Sequence, residues 1–326
     1  MANFIDDRDL NRDQRLHLLQ WAWELKHGRA LLDPQSRCLQ GREIALYMTK
    51  PSLRTRVSFT VAIRKLGGNV IELGPQSTKL GKGEDMEEWA AVLGSMVDAI
   101  VARVHEHAWF DDLVKYAGKP VVNALSDTLH PCQGLADAFT VWENARLRGD
   151  SDAQSAASFF ARPQRWAWIG DGNNVAHSLM LTCASLGVQL GVASPAGYEP
   201  SAAILQSART IHPLGADGIV VGEAPQDAVA GASAVFTDVW VSMGEEATKG
   251  GAAAQATRDA FVPYRVNQQL MNKAKGDAIF MHCLPAEPGN EVTSDVLRGP
   301  QSRVLAEAEN RLWTTLALLS QWVFTG

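Results

Sequence analysis

The fold class predicted for this chain is α/β, with two doubly wound parallel-sheet domains. Three observations predict it. Short apolar runs of four to six residues alternate with helical periodicity along almost the whole sequence, which is the pattern of a parallel sheet covered on both faces. A length of 326 residues suits two domains of ordinary size. Polar and charged residues fall just behind many of the apolar runs, and in open α/β sheets that edge is where ligands bind.

The elements follow in order. Leu10 to His27 has apolar residues at helical spacing and predicts a first helix. Glu43 to Met48 reads as a buried strand, and it leads into Lys50-Pro-Ser-Leu-Arg-Thr-Arg-Val-Ser-Phe59. Between Lys50 and Lys65 there are five basic residues and no acidic one, although the chain has a net charge of −6. Ser52 is a good N-cap for an amphipathic helix through Val57, Ala62, Ile63 and Leu66, so strand, loop and helix N-terminus outline an anion site. The competing reading of the same stretch is a solvated basic helix start.

The alternation continues with a strand at Asn69 to Leu73, a polar loop Gly74 to Glu84, and a helix Met86 to Met96. A strand at Asp98 to Arg103, a helix Trp109 to Ala117, a strand Pro120 to Ala124 and a long helix Pro131 to Leu147 complete the first half. Gly149 to Gln164, rich in Asp, Ser and Ala, reads as a linker or surface insertion. The domains are therefore expected at 1–148 and 149–305. The second half opens with Arg165 to Ile169, the turn Gly170-Asp-Gly-Asn-Asn174 and a helix Val175 to Leu186. The turn lacks the third glycine of a dinucleotide fingerprint, which leaves a nicotinamide dehydrogenase resting on a weak motif. Further strands are expected at Val188 to Ala193, Gly218 to Val221, Ala234 to Val239 and Ala278 to His282. Met243 to Arg258 reads as a mobile loop and Ala306 to Trp322 as an apolar closing helix.

Composition excludes several classes. The chain is 46% hydrophobic and 20% charged, as in a soluble globular protein. An acidic N-terminus and the lack of any run of about 18 apolar residues predict a cytoplasmic protein with no membrane partner. Four dispersed cysteines without a Cys-x-x-Cys pair suggest neither a disulfide framework nor a zinc ribbon, and the acidic balance argues against nucleic acid. No metal or cofactor is implied.

The candidate site residues are those behind the strands: Ser52, Arg54 and Thr55; Arg103; His130 and Gln133; Asn174; Asp238; and His282-Cys283-Leu284-Pro285. Each has an ordinary alternative. Arg103 suits a surface ion pair, His130 and Asn174 suit helix caps, Asp238 a turn, and Cys283 a buried structural thiol.

Taken together, Ser52-Leu53-Arg54-Thr55-Arg56, His130-Pro131-Cys132-Gln133 and His282-Cys283-Leu284-Pro285 resemble the transcarbamylase family. Asp238-Val-Trp-Val-Ser242-Met243-Gly244, Gly170-Asp-Gly-Asn-Asn174-Val-Ala-His-Ser178 and Glu307-Ala-Glu-Asn-Arg311 resemble its ornithine branch. The resemblance implies carbamoyl transfer from carbamoyl phosphate to the side-chain amine of ornithine, giving citrulline and phosphate, in a homotrimer or an assembly of trimers. It also implies that the C-terminal helix, 306–326, returns to complete the first domain. Ser52, Leu53 through its backbone N–H, Arg54, Thr55, Arg103, His130, Gln133, Cys283, Leu284 and Arg311 would bind carbamoyl phosphate, with Lys79 and Lys82 arriving from a neighbouring subunit. Asn174, Asp238, Ser242 and Met243 would bind ornithine. Arg103, His130, Asp238 and Cys283 would be catalytic.

Three departures stand out. Leu53 replaces the family's usual Thr, Thr78-Lys79-Leu80-Gly81 replaces its Ser-Gln-Leu-Gly, and the loop after Ser242-Met243-Gly244 carries a Gly250-Gly-Ala-Ala-Ala254 run, expected to close over the amino acid as a lid. Other amines (putrescine, an N-acylated ornithine, aspartate) are the nearest alternative substrates. A non-catalytic regulatory homologue is the alternative of a different class; it predicts loss of Arg54, His130 or Arg311, and all three are present.

Overall fold

The computed structural model describes residues 2–28, 37–76, 84–241 and 255–324. They form two compact units, Met1–Phe139 with Glu309–Gly326, and Thr140–Ala308.

The first unit is built on a four-stranded, all-parallel sheet ordered β2-β1-β3-β4, where β1 is Glu43–Met48, β2 Asn69–Leu73, β3 Ala99–Arg103 and β4 Val121–Leu125. β3 and β4 are buried at every position and β1 at all but Glu43, which is why they read as largely apolar runs; the buried polar exceptions are Arg103 at the end of β3 and Asn123 in β4, whose Nδ2 donates to Ile5 O at 2.9 Å. Of the two edge strands, β2 exposes three of its five residues, whereas β4 is buried throughout. Helices α1 (Arg12–His27), α2 (Leu53–Lys65), α3 (Met86–Met96) and α4 (Trp109–Ala117) accompany the sheet. Their starts are chemically marked. The side chains of Asn11, Ser52 and Asp85 accept from the backbone N–H of Gln14, Thr55 and Glu88. The apolar core gathers Tyr47, Ile100 and Val121 from the sheet with Trp89, Phe110 and Leu113 from α3 and α4.

Helix α5 (Pro131–Leu147) begins in the first unit and ends in the second, and the C-terminal helix Val304–Leu318 begins in the second unit and ends in the first. The unit boundary therefore falls inside α5, at Phe139/Thr140, earlier than the expected 148/149, and inside the C-terminal helix at Ala308/Glu309.

The second unit carries a five-stranded parallel sheet ordered β7-β6-β5-β8-β9, with β5 Arg165–Ile169, β6 Gln189–Ala193, β7 Ile219–Gly222, β8 Ala234–Thr237 and β9 Ile279–His282. Helix α6 (Ala156–Ala161) precedes β5, and α7 (Asn174–Leu186), α8 (Ala202–Ile211) and α9 (Pro225–Val229) connect β5 to β6, β6 to β7 and β7 to β8. The expected linker at 149–164 contains α6, because Ala156, Phe159 and Phe160 are buried and anchor the segment in this unit. β8 stops at Thr237 rather than Val239, so Asp238 lies beyond the strand. Of the loop expected at 243–258, residues 255–258 are helical, and 243–254 lie outside the described residues. Among the described residues no helix is long and apolar enough to cross a membrane.

Each sheet has one topological switch point. In the first, β1 is followed by β2 on one side and then by β3 on the other, so the loops behind β1 and β3 diverge. In the second, the chain steps from β5 through β6 to β7 and then returns to β8 on the other side of β5. Such points open a crevice at the carboxyl ends of the strands.

Candidate active site

At the first switch point the chain leaves β1 and turns into α2. Ser52, in extended backbone with φ −156° and ψ 115°, caps the helix: its Oγ accepts from Thr55 N–H and donates to Thr55 Oγ1, at 3.3 and 3.2 Å. Helix starts present N–H groups and a positive dipole end, and α2 has no acidic residue in its first turn to consume them. The basic island divides by location. Arg56 is paired with Glu72 of β2 at 3.1 Å, and Arg64 and Lys65 sit in the last turn, where cations suit the dipole. Arg54 has no ion-pair partner among the described residues.

Arg103 ends β3 directly opposite Met48 of β1 and is 5% exposed. Its carbonyl accepts from the backbone N–H and hydroxyl of Thr49, which ties the two strand ends together. His130 and Gln133 stand at the start of α5, and Arg311 comes from the C-terminal helix to meet them. Arg311 Nη1 donates to Gln133 Oε1 at 2.8 Å and to His130 Nε2 at 3.3 Å. Gln133 Nε2 donates to Asp137 Oδ1 at 2.8 Å, which fixes the orientation of its amide. Because guanidinium only donates, Nε2 of His130 is an acceptor and the ring proton of the neutral imidazole lies on Nδ1. Burial, then the charges of Arg311, Arg103 and Arg54, hold the His130 pKa well below the usual histidine value. Ser52, Arg54 and Thr55 thus lie behind β1, and Arg103, His130, Gln133 and Arg311 are buried in the same unit.

At the second switch point, the Gly170–Asn174 turn follows β5 and Asp238 follows β8. The helix cap is Asn173, not Asn174: Asn173 Oδ1 accepts from Val175 and Ala176 N–H at 2.9 and 3.1 Å, and Asn174 is the first helical residue. Asp238, 9% exposed, accepts from Asn173 Nδ2 at 3.0 Å and from the Cys283 thiol at 3.2 Å. Cys283 and Leu284 follow β9. Leu284 is held at φ 59°, a left-handed conformation that costs a leucine about 1 kcal/mol or more, and the Leu284–Pro285 peptide is cis. Its N–H donates to His282 Nδ1 at 2.9 Å, while His282 Nε2 faces Glu291 Oε1 at 3.1 Å with both side chains fully buried. Nδ1 accepts, so Nε2 carries the proton and His282 donates to Glu291. Glu307 accepts from His282 N–H at 2.8 Å and secures the end of β9. Ser242 and Met243, with Lys79 and Lys82, lie outside the described residues.

Sequence reasoning passed over Asn173, Asp137, Glu291 and Glu307 as partners of the site. Gln133 and Asp137 are spaced i, i+4 on a helix, a readable signal; the other contacts depend on tertiary structure. Asp238, His282 and Cys283 offer ligand atoms within 4.8 Å of one another, the only such group among the described residues. Both His282 nitrogens are engaged, which leaves one thiol and one carboxylate for any cation. A cavity of about 710 Å³ lies at the opposite edge of the second sheet, near Gln164, Ser233 and Asp277, and contains none of these residues; strand-end geometry, not cavity size, marks the site.

Comparison with known proteins bears on both units. Residues 2–143 match the family model described as the carbamoyl-P binding domain of aspartate/ornithine carbamoyltransferase, and residues 163–322 match its Asp/Orn binding domain. The chain is 42% identical over 323 residues to an ornithine carbamoyltransferase of Pyrococcus abyssi, covering 98% of this chain and 96% of that protein. It is 43% identical over 320 residues to one from Parafrankia sp., covering 98% and 95%. Among solved structures, ornithine carbamoyltransferase from Pyrococcus furiosus superposes with a TM-score of 0.88 at 39% identity, covering 100% of this chain and 98% of that one.

Proposed function

The chain belongs to the aspartate/ornithine carbamoyltransferase family, and from that premise we propose how its residues divide the work of the reaction. It is a carbamoyltransferase: it moves the carbamoyl group of carbamoyl phosphate to the side-chain amine of L-ornithine, releasing L-citrulline and phosphate.

The observation that carries the assignment of roles is the Arg311–Gln133–His130 group beside Arg103 and the start of α2. A simple phosphate cradle needs only the capped helix and Arg54. Here a neutral imidazole and an oriented amide are added, which suit a carbamoyl group with one carbonyl to be donated to and one NH₂ to be accepted from. Ser52, Arg54, Thr55, the Leu53 N–H and Arg311 bind the phosphate. Arg103 reaches phosphate and carbonyl oxygen, His130 donates through Nδ1–H to the carbonyl oxygen, and Gln133 accepts from the amide. When the amine attacks, the carbonyl oxygen becomes negative, and Thr55, Arg103 and His130 stabilise it in place. Ser52 and Arg54 then stabilise the growing charge of the departing phosphate.

In the second unit Asn174, Asp238, Ser242 and Met243 hold the amino-acid end of ornithine, and Cys283 with the backbone of Leu284 adjoins the reacting amine. A primary alkyl amine, like lysine, has a pKa of about 10.4, so roughly one molecule in a thousand is neutral at pH 7. Asp238 and Cys283 orient the amine and pass on its proton, with departing phosphate as the acceptor. Lys79 and Lys82 add charge at the phosphate from a neighbouring subunit of a homotrimer in the cytoplasm. The exposed apolar pairs Leu53/Val57 and Val92/Met96 support an oligomer.

The test is citrulline formation from carbamoyl phosphate with a panel of amines. Ornithine is expected to react far faster than putrescine, N-acetylornithine or aspartate; faster carbamoylation of any of the three would overturn the substrate assignment.

A further inference from the structure

Asp238 has donors on both carboxylate oxygens. Asn173 Nδ2 lies 3.0 Å from Oδ2 and Cys283 Sγ 3.2 Å from Oδ1. The Asn173 amide is itself fixed. Its oxygen is committed to two N–H groups that have no intrahelical partner, those of Val175 and Ala176 at the start of α7, at 2.9 and 3.1 Å. Only the NH₂ remains to face the carboxylate. A reversed amide would set its NH₂ against two N–H groups and its oxygen against a carboxylate, replacing three hydrogen bonds by repulsive contacts.

The turn that carries Asn173 has little room to shift. A Cβ on Gly172 would come within 2.1 Å of Pro200 N and 2.4 Å of Glu199 C, so the backbone just before Asn173 lies against the 199–200 turn. The N–H of Gly172 donates to Tyr198 O at 2.8 Å, and the neighbouring Gly170 N–H to Ala193 O at 2.9 Å. Asn173 is therefore a rigid donor supported by β6, the turn after it and α7.

We propose that Asn173 is a positioning residue for the transfer reaction: it locks the Asp238 carboxylate in one rotamer, across the switch point between β5 and β8, in the orientation that ornithine meets. This rests on the reading of Asp238 as an ornithine contact. Asp238 lies just beyond a four-residue strand, and the side-chain contacts that hold its carboxylate are those to Asn173 and Cys283. Two donors from different elements restrict the carboxylate before substrate arrives, so the ordering cost is not charged to ornithine binding.

The experiment separates positioning from helix capping. Asn173→Ser keeps a cap acceptor and loses the NH₂; Asn173→Asp keeps the acceptor and turns a carboxylate toward Asp238; Asn173→Ala loses both functions. In steady-state assays Asn173→Ser is expected to keep the wild-type melting temperature and the wild-type KM for carbamoyl phosphate, while kcat/KM for ornithine falls about tenfold, the scale of one hydrogen bond to a charged group. Asn173→Asp should fall further, and only Asn173→Ala should also lose thermal stability. Wild-type ornithine kinetics in Asn173→Ser, or a fall shared equally by both substrates and by stability, would overturn the proposal and leave Asn173 a simple cap. Asp238→Ala is measured alongside. If it keeps ornithine kinetics unchanged, the reading of Asp238 itself fails; if it is impaired while Asn173→Ser is not, only the role of Asn173 fails. In the double variant, adding Asn173→Ser to Asp238→Ala should change nothing further, because the amide then has no carboxylate to hold.

Discussion

Burial and three guanidinium groups determine the charge of His130. A protonated imidazole would sit without water beside Arg311, Arg103 and Arg54, so its pKa is held well below the ordinary value of 6.5 and the ring stays neutral at neutral pH. The sign of the linkage follows. The unfolded chain binds a proton at this histidine near pH 6.5 and the folded chain does not, so the stability it confers is present above that pH and is lost as pH falls. Melting temperature should therefore drop between pH 7 and pH 5, and the drop should be smaller in His130→Gln; equal drops in the two proteins would refute this assignment. The cysteines divide on the same physical grounds. Cys132 is fully buried and its pKa is pushed up to about 12, whereas Cys283 is only half-buried and donates to Asp238. At pH 8 a thiol reagent should modify Cys283 before Cys132, and saturating ornithine should slow that reaction. Peptide mapping after timed alkylation would measure both.

Secondary structure places these side chains, and its accuracy in the sequence varied for physical reasons. β1, β3 and β4 were legible because burial on both faces favours predominantly apolar residues, and the ends of β3 and β1 mark Arg103 and the start of α2. Helices α6 and α9, of six and five residues, span too few turns to show a period and were not read. α8, whose buried residues are Ile204 and Ala208, was not read either. Asn173 and Asn174 are equivalent as letters; which one caps is set by backbone angles and by the contact with Asp238. Arg311 meets Gln133 across 178 positions of sequence, so its part in the site came only from the resemblance. Glycine contacts supply a prediction at this scale. A Cβ on Gly94 of α3 would lie 2.0 Å from Ala117 O at the end of α4. Gly94→Ala should lower stability by about 1–3 kcal/mol, as overpacking does, and reduce the urea midpoint. Gly172→Ala should act differently, displacing the turn that carries Asn173 and raising the ornithine KM more than the carbamoyl phosphate KM. Equal changes in both constants would show that the 170–174 turn does not serve ornithine alone.

At the scale of the whole molecule the question is how many chains make one site. On α3, Val92 and Met96 are 54% and 72% exposed and four residues apart on one face; on α2, Leu53 and Val57 are 75% and 48% exposed with the same spacing. Large apolar side chains paired this way on two helices of one unit are what a subunit contact would cover. Met96→Glu should therefore shift the sedimentation coefficient toward monomer while leaving the circular dichroism unchanged. If Lys82 serves a neighbour's phosphate, the dissociated form should also lose activity at low carbamoyl phosphate. A sharper test mixes two defective chains. In the proposed trimer, Arg311→Ala would damage the site in which it resides and Lys82→Ala the site it would donate to, so neither variant alone should work well at limiting carbamoyl phosphate. In a randomly reassembled trimer, a site that takes its body from the Lys82→Ala chain and its lysine from the Arg311→Ala chain is intact, and about one site in four has that composition in a cyclic arrangement. Activity should then rise on mixing to about a quarter of wild type. If Lys82 acts within its own chain, every site keeps one defect whatever its neighbours, and mixing restores nothing.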